Sequence, residues 1–282
     1  MQQDIFIKNG KMLQLPDGRK LVFAEYGVAS GKPVLFFHAA PGSSYVHKDM
    51  AEMAAQQGVR LIGVDRPGYG LSDPLPGRTL LSWADDIENL TDKLEIDRFS
   101  IIGFSGGCPH ALACAYKLPE RVQKVALAAA LVPGVTEGIP AMVSGLYALA
   151  QSNPDELRST FAALAPSSAA LIEVVAASVA DCDKKAVAER ASELERDYSR
   201  TLLNGIEGIA SDYILFSGSW GFPLEAIHKE IFLWSGTADQ NTPPAMVHSL
   251  ASQLSGSKVF ILPDEGHFAL YGHWGEILKQ LV

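Results

Sequence analysis

A chain of 282 residues is long enough for one large domain, or for one domain that carries a sizeable insertion. Hydrophobic residues make up 48% of the chain, a composition that excludes an intrinsically disordered protein. The net charge of −9 argues against nucleic acid or an anionic membrane surface as a partner.

Eight short segments along the chain have the composition of β-strands. The first two are separated by Pro16-Asp17-Gly18, a turn that would let them pair with each other. The other six are almost wholly apolar, as the strands of a parallel sheet buried on both faces usually are. We predict strands at residues 12–15, 21–26, 34–37, 61–64, 99–102, 125–131, 231–234 and 259–262.

Helical sequence lies between these strands. Leu81, Ala84 and Ile87 recur at the spacing that places apolar side chains on one face of a helix. The predicted helices are 46–57, 81–94, 109–118, 243–254 and 268–281. Strands that alternate with helices predict an α/β fold with a doubly wound, mostly parallel sheet flanked by helices.

The interval 133–223 interrupts this alternation. It is rich in alanine, contains helix-forming sequence and has no convincing strand. We therefore predict a helical cap at 133–223, inserted into a core domain formed by residues 1–132 and 224–282. Three carboxylates within the cap are expected to lie on solvated helix faces: Asp181, Asp183 and Glu189.

Targeting signals and cysteine usage indicate the compartment. The first residues show no basic region followed by a long apolar stretch, and no window approaches twenty uninterrupted apolar residues. We therefore expect a cytoplasmic protein with no membrane span. Cys108, Cys114 and Cys182 form an odd set, which favours free thiols in a reducing environment, and Cys108 is expected to be a small buried packing residue.

The segment Gly103-Phe104-Ser105-Gly106-Gly107 lies between a predicted strand and a predicted helix. Its G-x-S-x-G pattern is typical of a nucleophile elbow, a sharp turn that exposes a serine hydroxyl. Small residues on both sides avoid a collision across the turn, and amides at the start of the helix face any oxyanion formed there. A glycine-rich turn that happens to contain a serine is the alternative interpretation.

A serine nucleophile needs a base, and the base needs an orienting acid. In open α/β sheets the active groups gather at the carboxyl ends of the strands. His267 directly follows the last predicted strand and is the candidate base, while Asp239 follows the preceding strand and is the candidate acid. Asp212, Asp264 and Glu137 are weaker candidates for the acid.

Asp239 and a second residue near the proposed site, His38, can also be interpreted as purely structural residues. Asp239 could serve only at the start of the next helix, but Thr242, directly before Pro243, is the better helix cap. His38 ends the third predicted strand and is expected to brace its own loop.

An oxyanion hole needs a second N–H group besides that of Gly106. The loop after the third predicted strand has small residues where the backbone must approach a substrate. Ala40 is the predicted donor and Ala39 is the alternative, whereas Pro41 has no N–H to offer.

The order Ser105, Asp239, His267, together with the elbow and segments 38–42 and 65–72, resembles the α/β-hydrolase superfamily, and more narrowly its capped esterase-like members. The resemblance implies a nucleophilic serine, a histidine general base and an aspartate that orients it, in that order. It also implies that segment 65–72 is a structural loop. Haloalkane dehalogenases and epoxide hydrolases are disfavoured because they carry an aspartate at the elbow.

The resemblance also implies an oxyanion hole formed by the amides of Ala40 and Gly106. Ala39 stands where the family commonly has glycine, which keeps it as an alternative donor.

We therefore expect a serine hydrolase that cleaves small to medium uncharged carboxylic esters through an acyl-enzyme, with no metal and no organic cofactor. Hydrolysis of lactones, amides or carbon–carbon bonds on the same triad is an alternative, as is a non-catalytic small-molecule-binding protein. A cap that roofs the serine could place Met142, Leu146 and Phe161 in the substrate pocket, although packing between cap helices would explain them equally well.

Overall fold

A computed structural model describes residues 10–132 and 138–282. Its eight strands are β1 (Gly10–Gln14), β2 (Lys20–Gly27), β3 (Lys32–Phe37), β4 (Val59–Val64), β5 (Phe99–Phe104), β6 (Val122–Ala128), β7 (Glu230–Gly236) and β8 (Ser257–Leu262). They form one sheet in the order β1-β2-β4-β3-β5-β6-β7-β8. All eight predicted strands are therefore present, with ends that differ by a few residues.

The sheet is mostly parallel. β1 pairs antiparallel with β2 around the predicted turn, and β2 pairs antiparallel with β4. Every other neighbouring pair is parallel. The sixth strand ends at Ala128, three residues before the predicted end, because Ala129 has a φ of 53° and leaves the extended conformation.

Eleven helices occur in the described ranges. They are α1 (Lys48–Gln56), α2 (Leu80–Lys93), α3 (Gly107–Lys117), α4 (Ala141–Ser152), α5 (Pro154–Leu164), α6 (Ser168–Ser178), α7 (Asp181–Glu189), α8 (Ala191–Thr201), α9 (Glu207–Ser217), α10 (Pro244–Gln253) and α11 (Leu270–Leu281). The five helices predicted outside the cap correspond to α1, α2, α3, α10 and α11.

Helices cover both faces of the sheet. Along β3, Leu35 and Phe37 pack into a core that includes α2, α3 and α10, whereas Val34 and Phe36 pack on the other side against α1 and α11. This alternation follows from the two-residue period of a strand. The prediction of a doubly wound α/β fold is confirmed.

Six consecutive helices, α4 to α9, lie between β6 and β7, and residues 138–223 contain no strand. Pro133, the predicted first residue of the cap, lies outside the described residues. Among the described helices, none is by itself long and apolar enough to cross a membrane. The pair α5 and α6 meets that test together by length and composition, with a bend of 105° between them.

Candidate active site

Ser105 lies on a sharp turn between β5 and α3. Its φ of 49° is unusual for a residue with a side chain, and its amide donates a hydrogen bond of 2.9 Å to the Ala128 carbonyl, which holds the turn. A Cβ added at Gly103 would lie 2.9 Å from the Cα of Cys108, and one at Gly107 would overlap the Phe37 carbonyl. The flanking glycines are therefore required by close backbone approach, as the sequence pattern predicts.

The structure brings Ser105, His267 and Asp239 together in one hydrogen-bonded chain. The Ser105 Oγ lies 3.0 Å from Nε2 of His267, and the His267 Nδ1 lies 3.0 Å from Oδ2 of Asp239. Because a carboxylate can only accept, Nδ1 carries the proton and donates it, which leaves Nε2 free to accept from the serine hydroxyl. All three side chains are buried at the carboxyl ends of β5, β7 and β8.

Burial and charge act in opposite directions on this pair. Burial raises the pKa of Asp239, but the His267 charge and the hydrogen bonds that Asp239 accepts outweigh it and hold that pKa below its ordinary value. Burial lowers the pKa of His267, but the nearby Asp239 carboxylate, with a smaller contribution from Asp183, raises it above its ordinary value. The acid is thus ionised, and the base keeps a proton more readily than a free imidazole.

Thr242 does not cap the following helix, and that prediction was wrong. Helix α10 has Pro243 at its N-cap position without a side-chain cap, while the Thr242 hydroxyl donates to Asp239 Oδ2 at 2.6 Å. The amides of Asn241 and Thr242 each donate to Asp239 Oδ1 at 2.9 Å. The loop therefore presents three donors to one buried carboxylate and fixes its orientation towards His267.

The backbone amides of Ala40 and Gly106 belong to residues that contact each other beside Ser105. A Cβ placed on Gly106 would lie 3.1 Å from the Ala40 nitrogen, which puts these two residues in contact. Among the hydrogen bonds of the described residues, neither of the two amides has an acceptor. The Ala39 nitrogen instead faces Gly42, where an added Cβ would lie 3.2 Å from it.

The loop that contains Ala39 and Ala40 is braced from behind. The imidazole of His38 contacts the Ala39 carbonyl at 2.7 Å through Nδ1, in agreement with the predicted bracing role. The guanidinium of Arg66 donates to the carbonyls of both His38 and Ala39. Segment 65–72 thus has a structural function, as the family resemblance implied, and Arg66 fixes the direction of the loop's carbonyl groups.

Asp212 lies in a buried ion cluster and not beside His267. Arg66 and Arg78 each donate to its carboxylate at 2.6 Å, and Tyr69 donates at 2.8 Å. Burial raises the pKa of Asp212, but the two guanidinium charges outweigh it and hold that pKa well below the ordinary value. Asp212 belongs to α9, so the cluster joins this helix to the loop after β4.

We expect Asp212→Ala to destabilise the protein by about 3–5 kcal/mol, because two guanidinium groups would remain buried without their counter-charge. Asp155→Ala is the matched control, since it removes an exposed ion pair with Arg158 and should cost less than about 1 kcal/mol. Urea unfolding followed by circular dichroism measures both. Equal losses for the two variants would show that the cluster is not a structural anchor.

Of the two remaining candidates for the acid, only Asp264 lies within the described residues. Asp264 is exposed, and its backbone amide donates a hydrogen bond of 2.8 Å to the Thr237 hydroxyl. Glu137 lies outside the described residues. Asp239 is the candidate that the structure places against His267.

A cavity of about 90 Å³ opens beside Ser105 and His267. Met142, Leu146 and Phe161 all line it, together with further side chains from α4, α5, α6, α8 and α9. Its wall is mainly apolar and includes no lysine, arginine, aspartate or glutamate among the described residues. The half-buried tyrosines Tyr147 and Tyr213 also line it, and desolvation raises the pKa of both, so they are neutral.

Asp183 was predicted to lie on a solvated helix face, and this prediction was wrong. Its side chain is buried, and its two carboxyl oxygens accept the amides of His267 and Phe268 at 2.8 Å each. Asp181 and Glu189, on the same helix α7, are exposed as predicted. The charge pattern of the helix could not distinguish them, because the contact is made by a loop 84 residues further along the chain.

The cysteines take no part in this arrangement. Cys108 and Cys114 are buried, Cys182 is exposed, and all three are free thiols as predicted. Burial raises the pKa of Cys108 far above its ordinary value, so its sulfur stays protonated next to the elbow. Within residues 10–132 and 138–282, no three His, Cys, Asp or Glu side chains are grouped so as to hold a metal ion.

Comparison with known proteins gives consistent results. A family model described as alpha/beta hydrolase fold matches residues 32–273. The AB hydrolase superfamily protein YisY of Bacillus subtilis (strain 168) is 25% identical over 253 residues, which cover 86% of this chain and 88% of that protein. The 2-hydroxy-6-oxononadienedioate/2-hydroxy-6-oxononatrienedioate hydrolase 2 of Pseudomonas putida is 25% identical over 275 residues, covering 93% of this chain and 90% of that protein.

Among solved structures, the esterase EaEST from Exiguobacterium antarcticum aligns with a TM-score of 0.69 and 20% sequence identity. The alignment covers 96% of this chain and 98% of that one. At this identity the likeness concerns the fold.

Proposed function

The chain belongs to the α/β-hydrolase fold family, and from this premise we propose that it is a serine hydrolase that cleaves carboxylic esters of small to medium uncharged substrates. The observation that carries the proposal is the chain of contacts from Ser105 through His267 to Asp239, close to the backbone of Ala40 and Gly106. Such an arrangement supplies a nucleophile, a base, an orienting acid and donors for an oxyanion.

In the first half of the proposed reaction, the Ser105 hydroxyl gives its proton to His267 Nε2 while Oγ attacks the ester carbonyl carbon. The carbonyl oxygen becomes an oxyanion, which the amides of Ala40 and Gly106 stabilise by hydrogen bonding. The imidazolium is stabilised by the Asp239 carboxylate. The bond to the alcohol oxygen then breaks, and Nε2–H protonates the leaving alcohol, which leaves an acyl group on Ser105.

Water completes the cycle in the same geometry. It gives a proton to Nε2, attacks the acyl carbon and forms a second oxyanion between the same two amides. Collapse of this intermediate releases the carboxylic acid and returns the proton from Nε2 to Ser105 Oγ. We assign the donor role to Ala40 in preference to Ala39, because the Ala40 nitrogen lies close to Gly106, whereas the Ala39 nitrogen lies close to Gly42.

The cavity wall supports an uncharged substrate. A substrate with a carboxylate, such as the dioates in the name of the Pseudomonas putida relative, would be desolvated in this cavity without a cationic partner. A substrate with a free amino terminus would likewise lack a carboxylate partner in the wall. We therefore rank neutral esters above charged carbon–carbon bond or aminoacyl substrates.

We further propose that residues 133–223 act as a cap over Ser105. Side chains from five of the six helices between β6 and β7 line the cavity that contains the serine. Met142, Leu146 and Phe161 would contact the acyl chain. A roofed cavity of limited volume favours short chains, because a long insoluble chain could not enter without displacing the helices.

A panel of substrates tests this proposal. We expect p-nitrophenyl esters of short and medium chain length to be hydrolysed faster than an emulsified long-chain triglyceride. Neutral esters should also have a higher kcat/KM than esters with a carboxylate in the acyl chain. Lactones and aminoacyl amides in the same panel separate the alternative reactions on the same triad. Faster turnover of the emulsion, with activation at its interface, would contradict the proposal and indicate a mobile lipase lid.

A further inference from the structure

A carboxylate of helix α7 holds the loop that carries His267 by hydrogen bonds to its backbone. Asp183 lies in the first turn of α7, is only 2% exposed, and accepts one hydrogen bond from each of two consecutive amides, those of His267 and Phe268. A pair of charge-assisted bonds at 2.8 Å fixes both the position and the direction of a short backbone segment. That segment is the one from which the imidazole projects.

Gly266, directly before His267, shows how closely the Asp183 carboxylate approaches this loop. A Cβ added at Gly266 would overlap the Asp183 carboxyl group, whose three atoms are its nearest neighbours. The backbone of Gly266 has a φ of −109°, so the glycine is not required for a left-handed conformation. Close approach of the carboxylate is therefore the reason that this position is glycine.

Asp183 acts on the reacting atoms through the backbone of His267 and does not touch them itself. Asp183 touches the backbone of His267, and the His267 Nε2 lies 3.0 Å from the Ser105 Oγ. Asp183 is not among the residues that line the cavity, so it does not contact the bound substrate. Helix α7 packs against α6 and α8, which do contribute side chains to the cavity wall.

We propose that Asp183 is a positioning residue: its carboxylate holds the loop that carries His267 so that Nε2 stays within hydrogen-bond distance of Ser105. The inference rests on the proposed function, because it assigns Asp183 to the same triad. It also makes the seating of the helical segment 138–223 a condition for a correctly placed base. Displacement of α7 would release the two amides and let the imidazole move away from the serine.

The charge of Asp183 adds a second, separable effect. The charged and titratable groups that face His267 are Asp239 from the loop after β7, Asp183 from α7 and the hydroxyl of Ser105 from the elbow. After burial, which lowers the pKa of His267, Asp239 is the main group that raises it, and Asp183 acts in the same direction. Removal of the Asp183 charge should therefore lower the pKa of His267.

Asp183→Asn tests the proposal because it keeps the size of the side chain, removes the charge and replaces one acceptor by a donor. Misplacement of a catalytic group by about 1 Å can cost on the order of 100-fold in rate, so we expect kcat to fall about 100-fold. KM for a p-nitrophenyl ester should stay within about two-fold, since Asp183 itself does not line the cavity. The acidic limb of the kcat/KM profile should move to lower pH.

Asp181→Asn is the matched control. It removes a carboxylate from the same turn of α7, but one whose side chain is 95% exposed and pairs with Lys184. Wild-type kcat and pH profile are expected for this variant. Asp183→Glu, which retains a carboxylate, should recover part of the lost kcat.

Gly266→Ala probes the contact from the other side, because its methyl group displaces the carboxylate while Asp183 itself is intact. It should lower kcat without changing KM. If Asp183→Asn does not fold, Gly266→Ala tests the positioning role of Asp183 in its place. In the double variant Gly266→Ala/Asp183→Asn, the loss should be smaller than the product of the two single losses. Folded variants with wild-type kcat and an unshifted acidic limb would overturn the inference.

Hydrogen exchange of the peptide that contains residues 266–268 separates this inference from the proposed function. The amides of His267 and Phe268 should exchange faster in Asp183→Asn than in the wild type and in Asp181→Asn. A wild-type protein that hydrolyses no ester would overturn the proposed function, and unchanged exchange would overturn the carboxylate contact independently of any activity.

Discussion

Ser105→Ala is expected to lower kcat for a p-nitrophenyl ester by several orders of magnitude, on the order of 10⁶-fold if the triad acts as one unit. The loss follows from the geometry, because the Ser105 Oγ is the atom that lies 3.0 Å from His267 Nε2. No neighbouring group can replace it, since the Cys108 sulfur is buried, protonated and bonded to backbone carbonyls.

A fluorophosphonate probe measures the same nucleophile without a substrate. The probe should label the wild type and Ser252→Ala, which removes an exposed serine on α10, and should not label Ser105→Ala. Thermal unfolding of the three proteins establishes that the comparison concerns folded enzymes. Full turnover or labelling of Ser105→Ala would show that the assignment of the nucleophile is wrong.

Loss of the base and of the acid should have the next largest effects. His267→Ala removes the proton acceptor and should cost about as much as the loss of the serine, because the effects of residues that act together are not additive. Asp239→Asn should cost about 10⁴-fold, since an amide at this position favours the wrong imidazole tautomer. Steady-state kinetics on one ester would measure both.

Controls exist for each of these substitutions. His248→Gln changes an exposed histidine on α10, and Asp264→Asn changes an exposed carboxylate in the loop that leads to His267. Both should keep wild-type kcat/KM. Unchanged activity in Asp239→Ala would transfer the acid role to another residue, and Glu137→Gln would then be the next variant to measure.

The pH dependence follows from the direction of the shifts. Proton abstraction needs neutral His267, so kcat/KM should fall as the pH drops through a His267 pKa that lies above its ordinary value. The stability contribution of this histidine has the opposite sign. Because its folded-state pKa is raised, the contribution is complete below the unfolded-state pKa and is lost as the pH rises through the folded-state value. The pH at which kcat/KM is highest should therefore lie above the pH range in which His267 contributes most to the free energy of unfolding.

Much of the site could be predicted from the sequence because its signals are local. The elbow is a five-residue pattern between a strand and a helix, and Asp239 and His267 each follow an apolar strand whose end fixes their place in the sheet. Parallel strands bring such ends to one edge, so the three residues could be associated without knowledge of any contact.

The predictions from sequence were incomplete or wrong where a side chain bonds to a residue that the sequence pattern does not connect with it. Arg66 and Asp212 are 146 residues apart, and Asp183 reaches a loop 84 residues away, so no spacing in the sequence connects them. Thr242 was predicted to be a helix cap because a threonine before a proline suits that position, but α10 begins at Pro244 with Pro243 at its N-cap, and the Thr242 hydroxyl instead donates to the Asp239 carboxylate three residues earlier.

Polar contacts attach the helices between β6 and β7 to the rest of the chain, and two of the residues that make them, Asp183 and Asp212, do not line the cavity. Met142, Leu146 and Phe161 do line it. Substitutions at these three wall positions leave those two contacts in place, so under the proposed function they should change the accepted acyl group while the triad keeps its geometry. A natural lineage or a laboratory library could explore new substrates at these three positions while anchors and chemistry stay constant, which makes them the first choice for saturation mutagenesis.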